Sequence, residues 1–104
     1  MNTEELQVAA FEIILNSGNA RSIVHEAFDA MREKNYILAE QKLQEANDEL
    51  LKAHQAQTDL LQEYASGTEI TIEIIMVHAQ DHLMTTMTLR EVALEMLELY
   101  KKVD

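Results

Sequence analysis

From Ala39 to Tyr64 one face of the chain repeats without a slip: Ala39, Leu43, Ala46, Leu50, Ala53, Gln57, Leu60 and Tyr64, in alternating steps of four and three. A seven-residue repeat of this kind keeps a single helical seam against a neighbour, and small residues at alternate places let that neighbour come close. One member, Gln57, is polar. The rest of the chain must fit beside this helix, and it has almost nothing from which to build tight turns. There is no Pro, and the two Gly are Gly18 and Gly67. Sandwiches, barrels and glycine-rich nucleotide folds are disfavoured on that ground. The seam should stop near Ser66-Gly67, where glycine takes up a left-handed cap.

Two further helical stretches flank it. The first opens at Asn2, whose side chain can cap a first-turn N–H, with Glu5 three residues on. Leu6, Ala9, Ala10, Ile13, Ile14 and Ser17 recur at helical spacing, and Ile23, Val24, Ala27, Phe28 and Met31 continue the pattern beyond Gly18. A glycine inside a helix costs about 1 kcal/mol against Ala, which a long packed helix absorbs. One helix kinked near Gly18 is therefore expected rather than two abutting ones. The third helix, from about Thr71 to Lys102, carries two apolar rows. Ile75, His78, His82, Thr85, Leu89, Val92, Met96, Leu99 and Val103 form one; Met76, Ala79, Leu83, Ala93, Leu97 and Tyr100 form the other. A helix apolar over so wide an arc must bury more than one side. The expected fold is all-α: residues 1–104 as a single antiparallel three-helix domain, assembled through a parallel coiled coil of third helices.

Charge and cysteine content narrow the function. Eight Lys and Arg stand against nineteen Asp and Glu, a net charge of -11. So acidic a surface argues against nucleic acid and anionic membrane as partners, since both require a cationic footprint. Without cysteine there is no disulfide framework and no thiolate site. Met1-Asn2-Thr3-Glu4-Glu5 lacks a basic leader, and no apolar run nears the roughly 20 residues of a membrane span. A cytoplasmic protein without membrane insertion is expected.

The chemistry concentrates in Val77-His78-Ala79-Gln80-Asp81-His82-Leu83-Met84. At 100° per residue His78, Asp81 and His82 share one face of the third helix. A neutral imidazole offers a nitrogen lone pair that can attack phosphorus or bind a metal. Three readings stay open on spacing alone: a polar cluster that sets coiled-coil register, a metal site built on the His-x-x-x-His pair, and a nucleophilic histidine. Asp81 continues the stripe Ile74, Val77, Asp81, Met84. If that stripe is an oligomer seam, copies of the carboxylate meet and need a proton or a metal ion. His25 reads as an edge residue, and His54, beside Gln57 and Thr58, as a pocket wall or a solvated position.

These motifs resemble the enzyme IIA component of the lactose/cellobiose family of the bacterial sugar phosphotransferase system. The resemblance runs nearly end to end, through Ile14-Leu15-Asn16-Ser17-Gly18-Asn19-Ala20-Arg21-Ser22, Ala53-His54-Gln55-Ala56-Gln57-Thr58 and the His78 segment. It departs at Lys34-Asn35-Tyr36, where relatives commonly have Gly before an aromatic residue. The resemblance implies a homotrimer and a phosphohistidine relay. His78 receives a phosphoryl group from the histidine phosphocarrier protein and passes it to the sugar-specific IIB component, for uptake of a β-disaccharide such as cellobiose, lactose or chitobiose. It implies that Asp81 from three subunits gathers around a divalent cation, magnesium, at the trimer axis. Gln80 and His82 match polar neighbours of the active histidine, and Gln57 is a further donor. A metal-binding or scaffolding bundle is the alternative.

Overall fold

The structure, a computed structural model, describes residues 2–104; Met1, which opens the leader reading, lies outside them. Three helices of 30 residues each make up the chain: α1 Thr3–Arg32, α2 Tyr36–Ala65 and α3 Ile74–Val103. They lie side by side in a rod of 53 × 20 × 18 Å. At 1.5 Å per residue, a 30-residue helix is about 45 Å long, so each spans most of the rod. Cross-helix pairs fix the directions. Lys42 pairs with Glu26 at 2.9 Å, which runs α2 antiparallel to α1. Lys101 pairs with Glu40 at 3.1 Å while Gln57 meets Gln80, which runs α3 antiparallel to α2. The first and third helices are therefore parallel.

The helix ends follow from local chemistry. Asn2 accepts the Glu5 N–H at 2.8 Å, the cap anticipated for α1. Asn35 does the same for α2, accepting from Leu38 at 3.2 Å. At the end of α2 the Gly67 N–H donates to the Tyr64 carbonyl and the Thr68 N–H to the Glu63 carbonyl, with Gly67 at φ 99°. That is the Schellman arrangement, and glycine meets its left-handed requirement without a Cβ penalty. The end of α1 has the same pair of bonds, Lys34 to Met31 and Asn35 to Ala30. Here the left-handed position falls on Lys34, at φ 61°. The ammonium of Lys34 lies 3.0 Å from the Asp104 carboxylate, and its hydrogen bond and charge hold that carboxyl below the usual carboxylate range. The departure at Lys34 thus changes which residue bears the strained backbone and leaves the turn itself intact.

Two sequence expectations shift. The third helix starts at Ile74 instead of Thr71, with Glu73 as an extended N-cap lacking a side-chain cap bond. Ile70-Thr71-Ile72 is a β-branched run, which loses side-chain freedom in a helix and has no capping group to compensate. Tyr64, the last member of the α2 seam, is exposed. It lies in the final turn, level with the first turn of α1, where the bundle has no further layer to cover it.

Elsewhere the core follows the periodicity. Ala39, Leu43, Ala46, Leu50, Ala53 and Leu60 are buried, opposite Leu6, Ala10, Ile13, Ala20, Val24, Ala27 and Met31 of α1. The first helix continues unbroken through Gly18. On α3 one predicted row supplies the core, with Met76, Ala79, Leu83, Ala93 and Leu97 buried. The other row lies along the flank: Ile75, His82, Leu89 and Met96 are half-buried, and Val92, Leu99 and Val103 are exposed. Thr86 is buried but satisfied, its hydroxyl donating to the His82 carbonyl at 2.7 Å. Ser17 is buried with no partner for its hydroxyl. Among the described residues no helix is long and apolar enough to cross a membrane.

Candidate functional site

The first half of α3 carries two separate polar groupings, one on each flank. On the flank facing α1, His78 is exposed and His82, one turn on, is half-buried. Their rings lie parallel, with centroids 5.9 Å apart and planes inclined by 6°. Helical spacing of four residues stacks the two side chains one above the other, so the pairing follows from the backbone. Gly18 of α1 completes this grouping. A Cβ built at Gly18 would lie 3.6 Å from Nε2 of His82, so the edge of the imidazole packs one ordinary contact away from that position of α1.

On the flank facing α2, the amide of Gln57 donates to the side-chain carbonyl of Gln80. Around that pair are the sulfur atoms of Met84, 3.8 Å from Nε2 of Gln57, and of Met76, 3.6 Å from Nε2 of Gln80. At 100° per residue Gln80 lies about 200° round the helix from His78. The structure therefore brings His78 to His82, and Gln57 to Gln80, but does not join the two pairs within one chain. The polar position in the α2 seam is explained: Gln57 faces another amide, not a hydrocarbon neighbour.

Asp81 lies between these flanks, exposed, on the outward face of α3. Its neighbours along that face are Ile74, Val77, Met84, Val92 and Leu99, each at least half exposed. Thr85 donates to the Asp81 and His82 carbonyls at 2.7 and 3.3 Å, and Thr88 to the Met84 carbonyl at 3.1 Å, so the threonines of this face satisfy themselves along the helix. Among the described residues no three His, Asp or Glu side chains converge in a way that would hold a metal ion. A single chain offers a lone carboxylate.

The remaining histidines stand apart. His25 is exposed, its ring 6.1 Å from that of Phe28. His54 is exposed and lines a groove of about 280 Å³ between α2 and α3 with Leu51, Met87 and Arg90. The guanidinium of Arg90 donates to the Leu43 carbonyl at 2.8 Å and so fastens α3 to α2 beside that groove. The contribution of Gly18 was not anticipated from the sequence. A glycine in mid-helix, with no turn to make, was the signal available.

Comparison with known proteins locates this arrangement. Residues 8–101 match the family model for the lactose/cellobiose-specific IIA subunit of the PTS system. The lactose-specific EIIA component of Staphylococcus epidermidis is 45% identical over 102 residues, 98% of this chain and 98% of that protein. The crystal structure of PtcA from S. mutans is 98% identical, covers 97% of this chain and 99% of that one, and has a TM-score of 0.96. The IIA(Chitobiose)-HPr complex of the N,N'-diacetylchitobiose branch of the Escherichia coli phosphotransferase system is 30% identical, covers 94% of this chain and 95% of that one, and has a TM-score of 0.78.

Proposed function

Since the chain belongs to the lactose/cellobiose-specific IIA family of the sugar phosphotransferase system, we propose that His78 is its phosphoryl-carrying residue. The observation that supports this reading is the state of the His78 ring. It is exposed, mounted on a continuous helix, and backed by the parallel ring of His82. A ring nitrogen of neutral His78 attacks the phosphorus of a donor phosphohistidine. The N–P bond to the donor breaks as the new one forms, and the same exchange in reverse loads the next carrier. Such a transfer needs alignment, donors to the phosphoryl oxygens and exclusion of water, and little covalent help. In this reading His82 supports the group on His78.

The donor is the histidine phosphocarrier protein, in keeping with the relative solved as a complex with HPr. The acceptor is a IIB component serving uptake of a β-disaccharide (cellobiose, lactose or chitobiose), and the setting is the cytoplasm. The working form is a homotrimer with parallel α3 helices at its centre. Support for that comes from the outward face of α3, where Val77, Met84, Val92 and Leu99 are 50–56% exposed and have no cover within the chain. Around a threefold axis Gln57 and Gln80 of one copy can border the His78 of another, which a single chain does not allow. The same axis brings three Asp81 carboxylates together. A set of oxygen ligands suits a hard divalent cation such as magnesium better than zinc. There the cation offsets like charges, and no step of the transfer runs through it.

Incubation with the general phosphotransferase proteins and labelled phosphoenolpyruvate tests the reading. Acid-labile label on His78, absent from a trimeric His78→Ala variant, is expected. A folded wild-type sample that takes up no label, or His78→Ala labelled as strongly as wild type, overturns it.

A further inference from the structure

Two imidazoles at positions i and i+4 of one helix stand on one face and can share a metal ion. Of the four histidines only His78 and His82 are so placed; His25 lies on α1 and His54 on α2. The two rings are parallel, with centroids 5.9 Å apart. A tetrahedral ion with bonds of about 2.1 Å needs its two nitrogens roughly 3.4 Å apart. A turn of one ring about its last side-chain torsion, which has a broad minimum in histidine, closes that difference. The exposed ring of His78 is the one with room to turn. His82 is half-buried, its Nε2 one ordinary contact from the Gly18 position of α1, so one ligand is held while the other adjusts.

The ligand atoms select the ion. Imidazole nitrogens suit Zn2+, Ni2+ and Cu2+, whereas Mg2+ and Ca2+ take oxygen. The pair is therefore distinct from the Asp81 carboxylate, which lies exposed on the outward face of α3 and joins no group of three ligands among the described residues. Two imidazoles leave half of a tetrahedral shell to water. Structural zinc has four protein ligands and catalytic zinc three, so an ion held by two exchanges with the medium. The chain around it, with nineteen Asp and Glu against eight Lys and Arg, raises the local concentration of cations.

Occupancy has a chemical consequence. A neutral imidazole has a single nitrogen lone pair, and its other nitrogen carries the proton. Whichever nitrogen of His78 binds the ion, none is left to attack phosphorus. We propose that His78 and His82 form a reversible site for a borderline divalent metal such as Zn2+, and that an ion there stops the loading of His78. The inhibition rests on the relay role of His78 proposed above; the metal site stands without it.

Calorimetric titration of the untagged, unphosphorylated protein with Zn2+ alone tests the site. Binding of one Zn2+ per chain is expected. His78→Gln and His82→Gln should each weaken it by at least about tenfold, the least that loss of a group supporting a metal ligand costs. The His25→Gln/His54→Gln and Asp81→Leu variants should keep the wild-type affinity. Long-range 1H–15N spectra of the wild type decide the matter if a variant fails to fold: the ring nitrogens of His78 and His82 should shift together with Zn2+ and stay in place with Mg2+. In single-turnover transfer from the phosphorylated histidine phosphocarrier protein, Zn2+ should slow labelling of His78 in proportion to the occupancy found by calorimetry. EDTA should restore the rate, and Mg2+ should not lower it. Equal zinc affinity in wild type and folded His82→Gln, or ring nitrogens that do not respond, overturns the site and spares the relay. A filled site with an unchanged or faster rate overturns the inhibition. Absence of label on the metal-free wild type overturns the relay, and the inhibition with it, while the titration decides the site.

Discussion

Replacing Gly18 by Ala should make the protein more stable and a slower carrier at the same time. Gly18 lies inside α1 at an ordinary helical backbone, where Ala is favoured over Gly by about 1 kcal/mol. Part of that gain comes from the unfolded chain, which has fewer states to lose. The new methyl would lie 3.6 Å from Nε2 of His82, an ordinary contact that forces nothing to move. The net change is a gain of about 1 kcal/mol, or about 4–8 °C in melting temperature for a domain of this size. Circular dichroism melts at a fixed protomer concentration measure it, because oligomer melting depends on concentration. The same methyl leaves the imidazole where it is but lies against Nε2 and closes that nitrogen to a second partner. If His82 supports a phosphoryl group on His78, losing one such charge-assisted bond costs about 1.5–3 kcal/mol, a fall in transfer rate of roughly tenfold to a hundredfold. A melting temperature that stays level or drops would refute the account of how α1 and α3 meet. A more stable variant with an undiminished rate would refute the role given to His82.

Three further outcomes are expected. Lys34→Gly should melt above Lys34→Ala by about 4 °C or more; both lose the Asp104 pair, so the difference isolates the cost of a Cβ at φ 61°, and equal melting would contradict it. Ser17→Ala should stabilise the protein by about 1 kcal/mol in chemical denaturation, because it removes a buried hydroxyl with no partner; a loss of stability would show that the hydroxyl is bonded in solution. Asp81→Leu should abolish binding of a divalent cation in calorimetry and leave a trimer in sedimentation, since a packed apolar group often replaces a buried charge without loss; unchanged cation uptake would remove Asp81 as the ligand.

The parts of the fold that were legible are those carried by periodicity within one helix. The α2 seam is buried where its steps of four and three place it, and it fails at Tyr64 because a repeat does not say where the neighbouring helices begin. The third helix begins three residues later than its apolar pattern predicts, for a similar reason. Hydrophobicity continues through Ile70 and Ile72, while the resistance of β-branched residues to helix acts on the backbone and leaves no trace in the pattern. At the site, angular arithmetic put His78, Asp81 and His82 on one broad face, and the structure spreads them from flank to outer edge. The same arithmetic separates Gln80 from His78 by more than half a turn. The approach of Gly18 to His82 was illegible, because it depends on the register between helices 64 residues apart in sequence.

The acidity of the chain, awkward at first for a protein that would hold a dianionic group, suits a relay better than a store. Arg32, Lys34, Lys42, Lys52 and Lys101 are engaged with carboxylates, and Arg90 is fixed to the Leu43 carbonyl. Of the eight cations only Arg21 and Lys102 are without such a partner among the described residues, so the support nearest His78 within the chain is the His82 imidazole, joined in the proposed trimer by the two amides of a neighbouring copy. Surrounding negative charge raises the free energy of the phosphorylated form relative to the free one. A carrier that bound its cargo with a cluster of arginines would hold it in a well and slow the next transfer, because a bound state stabilised as much as the transition state gains nothing in rate. Neutral donors align the group without trapping it. On this argument, adding a cation beside His78 should prolong the life of the phosphorylated protein and slow its discharge to the next carrier.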